Sequence, residues 1–188
     1  MKKILLTGSN GFIGSFFLKY YKSKFRIQTF SFLTDHFNHL DISDVDTVIH
    51  CGALVHQTNQ LSWQDYYNIN VNQTILLAEK AKKNRVKHFI FLSTAKVYGE
   101  VSDTAFTEKS IPNPLDNYSK SKLEAEQSLQ KLEDDNFKIA ILRSPLVYGV
   151  TVKANFMKLV RLVNICPILP FKDINNKRSM VFIGNLCD

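Results

Sequence analysis

Read only for apolar and polar positions, the chain alternates between two periods. Short apolar runs of strand length are followed by stretches in which apolar residues recur every three or four positions. The first run, Ile4-Leu5-Leu6, leads into Gly8, Gly11 and Gly14, with Phe12, Ile13, Phe16, Phe17 and Tyr20 following at helical spacing. This order predicts a buried strand, a glycine turn and a helix with one buried face. Further strands are predicted over 25–32, 46–53, 88–94 and 137–144, and helices over 65–83 and 118–133. Alternating β and α segments predict an α/β fold built on a doubly wound parallel sheet.

One connection breaks this rhythm. Four residues separate Leu40-Asp41-Ile42 from the run that begins at Thr47, whereas a parallel crossover needs about a dozen. The third strand of such a sheet is therefore expected to be short or missing, its helix absent, and that sheet edge reduced.

The glycine turn carries a chemical implication. A strand, a glycine turn and a helix N-terminus in that order present free backbone N–H groups and the positive end of the helix dipole to an anion. Glycine suits the tight turn, the close approach of a pyrophosphate, and tight packing of helix on strand.

Composition narrows the classes. With 188 residues, 45% hydrophobic and 22% charged, the chain can build one good core. The net charge of +7 admits nucleic acid, anionic lipid or phosphate-bearing small molecules as partners. The densest basic run, residues 79–88, falls at a predicted helix C-terminus, where cations complement the dipole, and no nucleic-acid-binding module is visible. No apolar stretch reaches membrane-spanning length, and the apolar run after Lys2-Lys3 is too short for a signal peptide. Cys51, Cys166 and Cys187 are scattered, as expected of free thiols in a reducing cytoplasm. His36, His39 and Asp41 lack further ligands at a defined spacing, so no metal is expected. There is no G-x-S-x-G to support a serine hydrolase.

Four stretches together carry a resemblance. "TGSNGFIG" has the spacing T-G-x-x-G-x-x-G; "DTVIHCGA" ends a strand in small residues; "FLSTAKVYG" covers 91–99; "YSKSK" covers 118–122. They resemble the extended short-chain dehydrogenases/reductases, in the NAD-dependent epimerase/dehydratase group and its polysaccharide-biosynthesis branch. Tyr118 and Lys122 alone would read as a solvated helix face. They gain meaning from lying about two dozen residues after "FLSTAKVYG", as the family requires.

The resemblance implies a Rossmann-type domain over 1–150 and the start of a small substrate domain over 151–188. It makes Tyr118 the acid/base, with Lys122 lowering its pKa and holding the nicotinamide ribose. A free Tyr titrates near 10; a neighbouring ammonium and an oxidised nicotinamide both favour phenolate. Thr94 takes the place of the hydroxyl that bonds the reacting sugar oxygen, with Ser93 beside it as a second candidate. The cofactor site comprises Gly8, Asn10, Gly11, Phe12, Ile13 and Gly14, then Asp41-Ile42 at the adenine, Gly52-Ala53, and Asn70 beneath the site. Asn155 and Phe156 match positions that hold a nucleotide-sugar diphosphate, and Arg178 matches a phosphate-binding Arg. The cofactor expected by resemblance is NAD, although the second predicted strand has no acid at its end until Asp35 and no Arg suited to NADP.

The implied function is a cytoplasmic nucleotide-sugar 4-epimerase acting on a UDP-hexose or UDP-N-acetylhexosamine. The alternatives are a 4-ketoreductase of a nucleotide-linked deoxysugar and a non-catalytic dinucleotide-binding protein. A dehydratase fits less well, because Ala95-Lys96 stands where the family's dehydratases carry an acidic pair. Family members pair the two long helices, here 65–83 and 118–133, in homodimers. They also continue beyond the point matching Asp188, so the chain is expected to be a fragment or a truncated form.

Overall fold

A computed structural model describes residues 1–55, 61–149, 161–166 and 177–188. They divide into two compact units, Met1–Ser144 and Pro145–Asp188.

The first unit is a parallel five-stranded sheet in the order β2-β1-β3-β4-β5. Strand β1 (Lys3–Thr7) carries the first apolar run, and Ile4, Leu5 and Leu6 are all buried. Helix α1 (Phe12–Tyr21) crosses to β2 (Arg26–Phe30), inside the expected 25–32. β3 (Thr47–His50) then pairs on the opposite side of β1, with Ile4 facing Thr47 and Thr7 facing His50. The next crossover begins with α2 (Trp63–Tyr66), passes through a π-helical segment (Tyr67–Asn72), and continues as α3 (Gln73–Lys83). β4 (His88–Thr94), α4 (Asn117–Gln130) and β5 (Lys138–Ser144) complete the unit.

The reduced edge is present. Between β2 and β3 the chain forms turns and a 3-10 segment at Phe37–His39 but no crossover helix, and β2 ends the sheet on that side. Leu40, Ile42 and Val45 still serve the core, buried beside Phe30 and Val48. Apolar burial survives there without a third strand.

The crossover 65–83 differs in detail from a plain α-helix. Ser62 and Asp65 form a reciprocal capping box that starts it. The wide π turn then carries polar Asn70 inward, to 1% exposure. Such turns recur at functional sites. Helix α4 ends short of the expected 133, and the chain turns where Asp134 accepts from the N–H groups of Asn136 and Phe137.

The core lies between the sheet and the α3–α4 layer, around Leu77, Phe89, Phe91, Leu129 and Phe137. The second unit contains the parallel pair β6 (Leu146–Tyr148) and β7 (Met180–Phe182), followed by a short helix Ile183–Cys187. Among the described residues no helix is long and apolar enough to cross a membrane.

Candidate active site

The strand order reverses between β1 and β3, since β2 lies on one side of β1 and β3 on the other. In an open parallel sheet the crevice at the carboxyl ends of such strands receives the ligand. Here those ends are Gly8 and Gly52, and they touch. A Cβ on Gly8 would stand 2.6 Å from the Gly52 nitrogen, and Gly8 has a φ of +70°. A Cβ on Gly14 would stand 2.2 Å from the Gly8 carbonyl oxygen. Helix α1 therefore seats directly on the turn, with Gly11 as an N-cap that offers no side chain and no acid in the first turn. Those N–H groups and the close backbone fit the pyrophosphate of a dinucleotide.

The other candidate groups come to the same carboxyl edge. Thr94 ends β4, and its hydroxyl accepts from the Lys96 N–H at 3.2 Å while retaining its own proton to donate. Tyr118 lies in the first turn of α4, behind the N-cap Asp116, whose carboxylate accepts from Ser119 N–H at 2.7 Å. Lys122 is one turn further along, 1% exposed, with Nζ 3.7 Å from the centroid of the Phe91 ring.

Asn70 joins these elements. Its amide donates to the Leu54 carbonyl and to Ser121 Oγ, both at 2.9 Å, and its carbonyl accepts from Leu54 N–H at 2.7 Å. Ser121 in turn donates to the Tyr118 carbonyl at 2.8 Å. The π turn thus clamps both the chain after β3 and the Tyr118 turn of α4.

The electrostatics differ from the sequence expectation. Burial pushes the Tyr118 phenol up to about 12, with Asp116 and Tyr66 adding to the rise. Burial draws the Lys122 ammonium down to about 7, opposed by Cys51 and Glu126. Lys122 rests over the Phe91 ring, and the protein alone does not lower the phenol. The expectation joined two charges, and the second arrives with an oxidised nicotinamide.

Other candidates are distributed as follows. Ser93 is buried and donates to Glu126, whereas its neighbour Thr94 is only half-buried. Ile42 is a core side chain at 1% exposure, so only its backbone can meet a nucleotide. Asp41 is exposed and accepts from Ser43 N–H at 3.0 Å. Asn10 is exposed, Phe12, Ile13 and Ala53 are half-buried. Arg178 is exposed in the second unit, just before β7. Asn155 and Phe156 lie outside the described residues.

Three further groups stand out although the motifs did not mark them. Glu126 is buried one turn beyond Lys122 and holds Ser93 and Arg143. Its signal is the spacing of Tyr118, Lys122 and Glu126 along one helix face. His50 bridges Thr7 and Thr74 at 2.5 and 2.9 Å. Asp35 folds back to accept from Ser31 N–H at 2.8 Å, which returns a carboxylate to the end of β2.

A model of the NAD dependent epimerase/dehydratase family matches residues 4–188. The chain belongs to that family. It is 36% identical over 214 residues to a UDP-glucose 4-epimerase of Vibrio cholerae, covering 100% of this chain and 65% of the relative. It is 26% identical over 203 residues to N-acetyl-alpha-D-glucosaminyl-diphospho-ditrans,octacis-undecaprenol 4-epimerase of Escherichia coli O157:H7, covering 98% of this chain and 61% of that protein. The chain thus spans less than two thirds of the length of both relatives. Among solved structures, UDP-glucuronic acid 4-epimerase from Bacillus cereus in complex with NAD matches with a TM-score of 0.79 at 26% identity, over 98% of this chain and 71% of that one.

Proposed function

We propose that the protein is an NAD-dependent nucleotide-sugar 4-epimerase, acting on a UDP-hexose or UDP-N-acetylhexosamine for surface polysaccharides. The observation that carries this reading is the placement of Thr94 at the end of β4 and of Tyr118 in the first turn of α4, with Lys122 buried one turn on, on the sheet edge where Gly8 and Gly52 touch. Three 4-epimerases among the similar proteins support the reaction class. Ala95-Lys96 after Thr94, in place of an acidic pair, favours an epimerase over a dehydratase.

NAD, when bound, supplies a hydride acceptor and then a donor at the sugar C4. The chain's own residues manage the proton and the geometry. Tyr118, as phenolate, takes the proton of the 4-hydroxyl and later returns it to the same oxygen. Thr94 donates to that oxygen and orients it. Lys122 donates to the ribose hydroxyls of the cofactor, and its protonated form favours the phenolate. With the proton returned to the same oxygen and the hydride taken up and given back by bound NAD, the reaction would invert C4 with no net oxidation. Asn155, Phe156 and Arg178, with the region 151–188, are assigned to the sugar diphosphate. A homodimer through the long helices 65–83 and 118–133 belongs to the same reading by family resemblance.

The test uses full-length protein purified without added nucleotide. Incubation with UDP-N-acetylglucosamine or UDP-glucose, no cofactor added, should yield the 4-epimer in the H1 region of an NMR spectrum. No epimer, with NADH or NADPH oxidised once a 4-keto-6-deoxy nucleotide sugar is supplied, would replace this reading with a ketoreductase. Silence in both would leave a non-catalytic dinucleotide-binding protein.

A further inference from the structure

Lys96 follows closely on Thr94, and its backbone is already tied to the Thr94 hydroxyl. Its side chain reaches across to the start of α4. Nζ lies 3.1 Å from Oδ2 of Asp116 and 3.3 Å from Oε1 of Glu100. The other Asp116 oxygen caps α4 through Ser119 N–H. One carboxylate therefore closes the helix end, receives Lys96, and stands close in sequence to Tyr118.

We propose that Lys96 is a positioning residue: it fastens the turn carrying Thr94 to the helix end carrying Tyr118, and it offsets part of the Asp116 charge. The inference rests on the acid/base role proposed for Tyr118.

The reason is electrostatic. A reaction that needs a phenolate is opposed by any anion placed next to it. Asp116 is such an anion. After burial, it is the largest contributor to the raised state of the Tyr118 phenol. Against its own burial, bonds from Ser119 and Lys96 hold the Asp116 carboxyl well below the usual carboxylate range, so it stays ionised. Lys96, despite partial burial, is kept protonated by Asp116 and Glu100. The Lys96 ammonium thus sits against the same carboxylate that raises the phenol. Tyr66 from α2 adds to the rise at the phenol, Lys122 stands one turn further along α4, and Glu100 faces Lys96. The side chains of Lys96 and Asp116 are 40% and 26% exposed, so the effect is screened by salt.

The cap and the charge can be separated, because Asn caps a helix as well as Asp does. The variants are Lys96→Met, Lys96→Arg, Asp116→Asn and the double change Lys96→Met with Asp116→Asn, in the full-length, NAD-loaded protein. Tyr118 ionisation is read as near-ultraviolet phenolate absorbance, taken as the difference from Tyr118→Phe. kcat and KM are followed over the same pH range. Lys96→Met should move the ionisation up by about 0.5 to 1 unit. At pH below that ionisation it should lower kcat about threefold to tenfold, with KM unchanged. The shift should shrink at high salt, be absent in Lys96→Arg, and be reversed in the double variant. An unmoved curve in Lys96→Met overturns the inference, as does a shift that Asp116→Asn fails to reverse. The absorbance titration requires no turnover, so failure of the proposed reaction and failure of the Lys96 role are read separately.

Discussion

Arg143 closes on Glu126 inside the first unit: its Nε and Nη2 reach the same carboxylate oxygen at 2.9 and 2.6 Å. Glu126 is 1% exposed, and its other oxygen accepts from Ser93. Arg143 also donates to the Tyr98 hydroxyl at 2.6 Å. The group ties the end of β5 to the residue next to Thr94 and to the turn beyond it. Removing one member of a buried pair leaves the other charge uncompensated. Glu126→Ala should cost about 3–5 kcal/mol of unfolding free energy. Glu126→Gln, which keeps an acceptor, should cost less. Urea denaturation checks this, and an unchanged midpoint in Glu126→Ala would sink it.

The glycines of the turn divide into two kinds. A Cβ at Gly14 meets backbone, 2.2 Å from the Gly8 oxygen and 2.8 Å from its carbon, which cannot yield without moving the turn. A Cβ at Gly11 has its nearest neighbour at 3.2 Å. Gly14→Ala should lower the melting temperature and abolish copurified NAD together. Gly11→Ala should change stability by less than about 1 kcal/mol while still weakening nucleotide retention. Melting curves and chromatography of released nucleotide test both. A Gly14→Ala protein as stable as the parent would show that α1 does not seat as tightly as described.

How far the sequence revealed these features depends on how local their causes are. The sheet, the glycine turn and the missing crossover after Ile42 were legible because each follows from spacing along the chain: apolar runs, Gly8-Gly11-Gly14, and four residues before Thr47. Tyr118, Lys122 and Thr94 were legible as motifs. Glu126, His50 and Asp35 were not, because their partners are distant in sequence or depend on loop geometry. Ser93 meets Glu126 only when β4 lies beside α4. Asp35 returns to Ser31 only through the turn at 31–35. The π turn was also hidden, since Tyr67–Asn72 carries no glycine or proline to mark a change of helix type.

Asp35 should govern the choice of cofactor. Its Oδ2 accepts from Ser31 N–H just past β2, and its Oδ1 accepts from the Thr34 hydroxyl at 3.1 Å. A carboxylate at the end of the second strand accepts from a ribose 2′-hydroxyl and repels a 2′-phosphate. Asp35→Ala should weaken NADH binding about tenfold, the worth of one hydrogen bond to a charged group. It should also narrow the preference over NADPH. Fluorescence titration with each nucleotide decides, and an unchanged ratio of the two affinities would remove Asp35 from the site.

His50 should make the fold sensitive to mild acid. The Thr74 hydroxyl donates its proton to the Asn70 carbonyl at 2.8 Å, so the hydroxyl must accept from His50 Nε2 at 2.9 Å. That assigns the ring proton to Nε2 and makes Nδ1 the acceptor for Thr7, whose oxygen also takes the Gly52 N–H at 3.2 Å. The network runs in one direction from the Gly52 amide to the π turn, and it requires a neutral ring. Burial, with the nearby Lys122 charge, draws His50 down to about 3, whereas an unfolded His titrates near 6.5. Between those values the unfolded chain holds the extra proton. This part of the stability is therefore complete above about pH 6.5 and is lost as the pH falls towards about 3, by up to about 1.4 kcal/mol per unit. His50→Gln should be less stable at pH 7 yet show a flatter decline between pH 7 and 5. Urea denaturation at the two pH values measures the slopes. Equal slopes in parent and variant would mean that His50 does not carry the acid sensitivity.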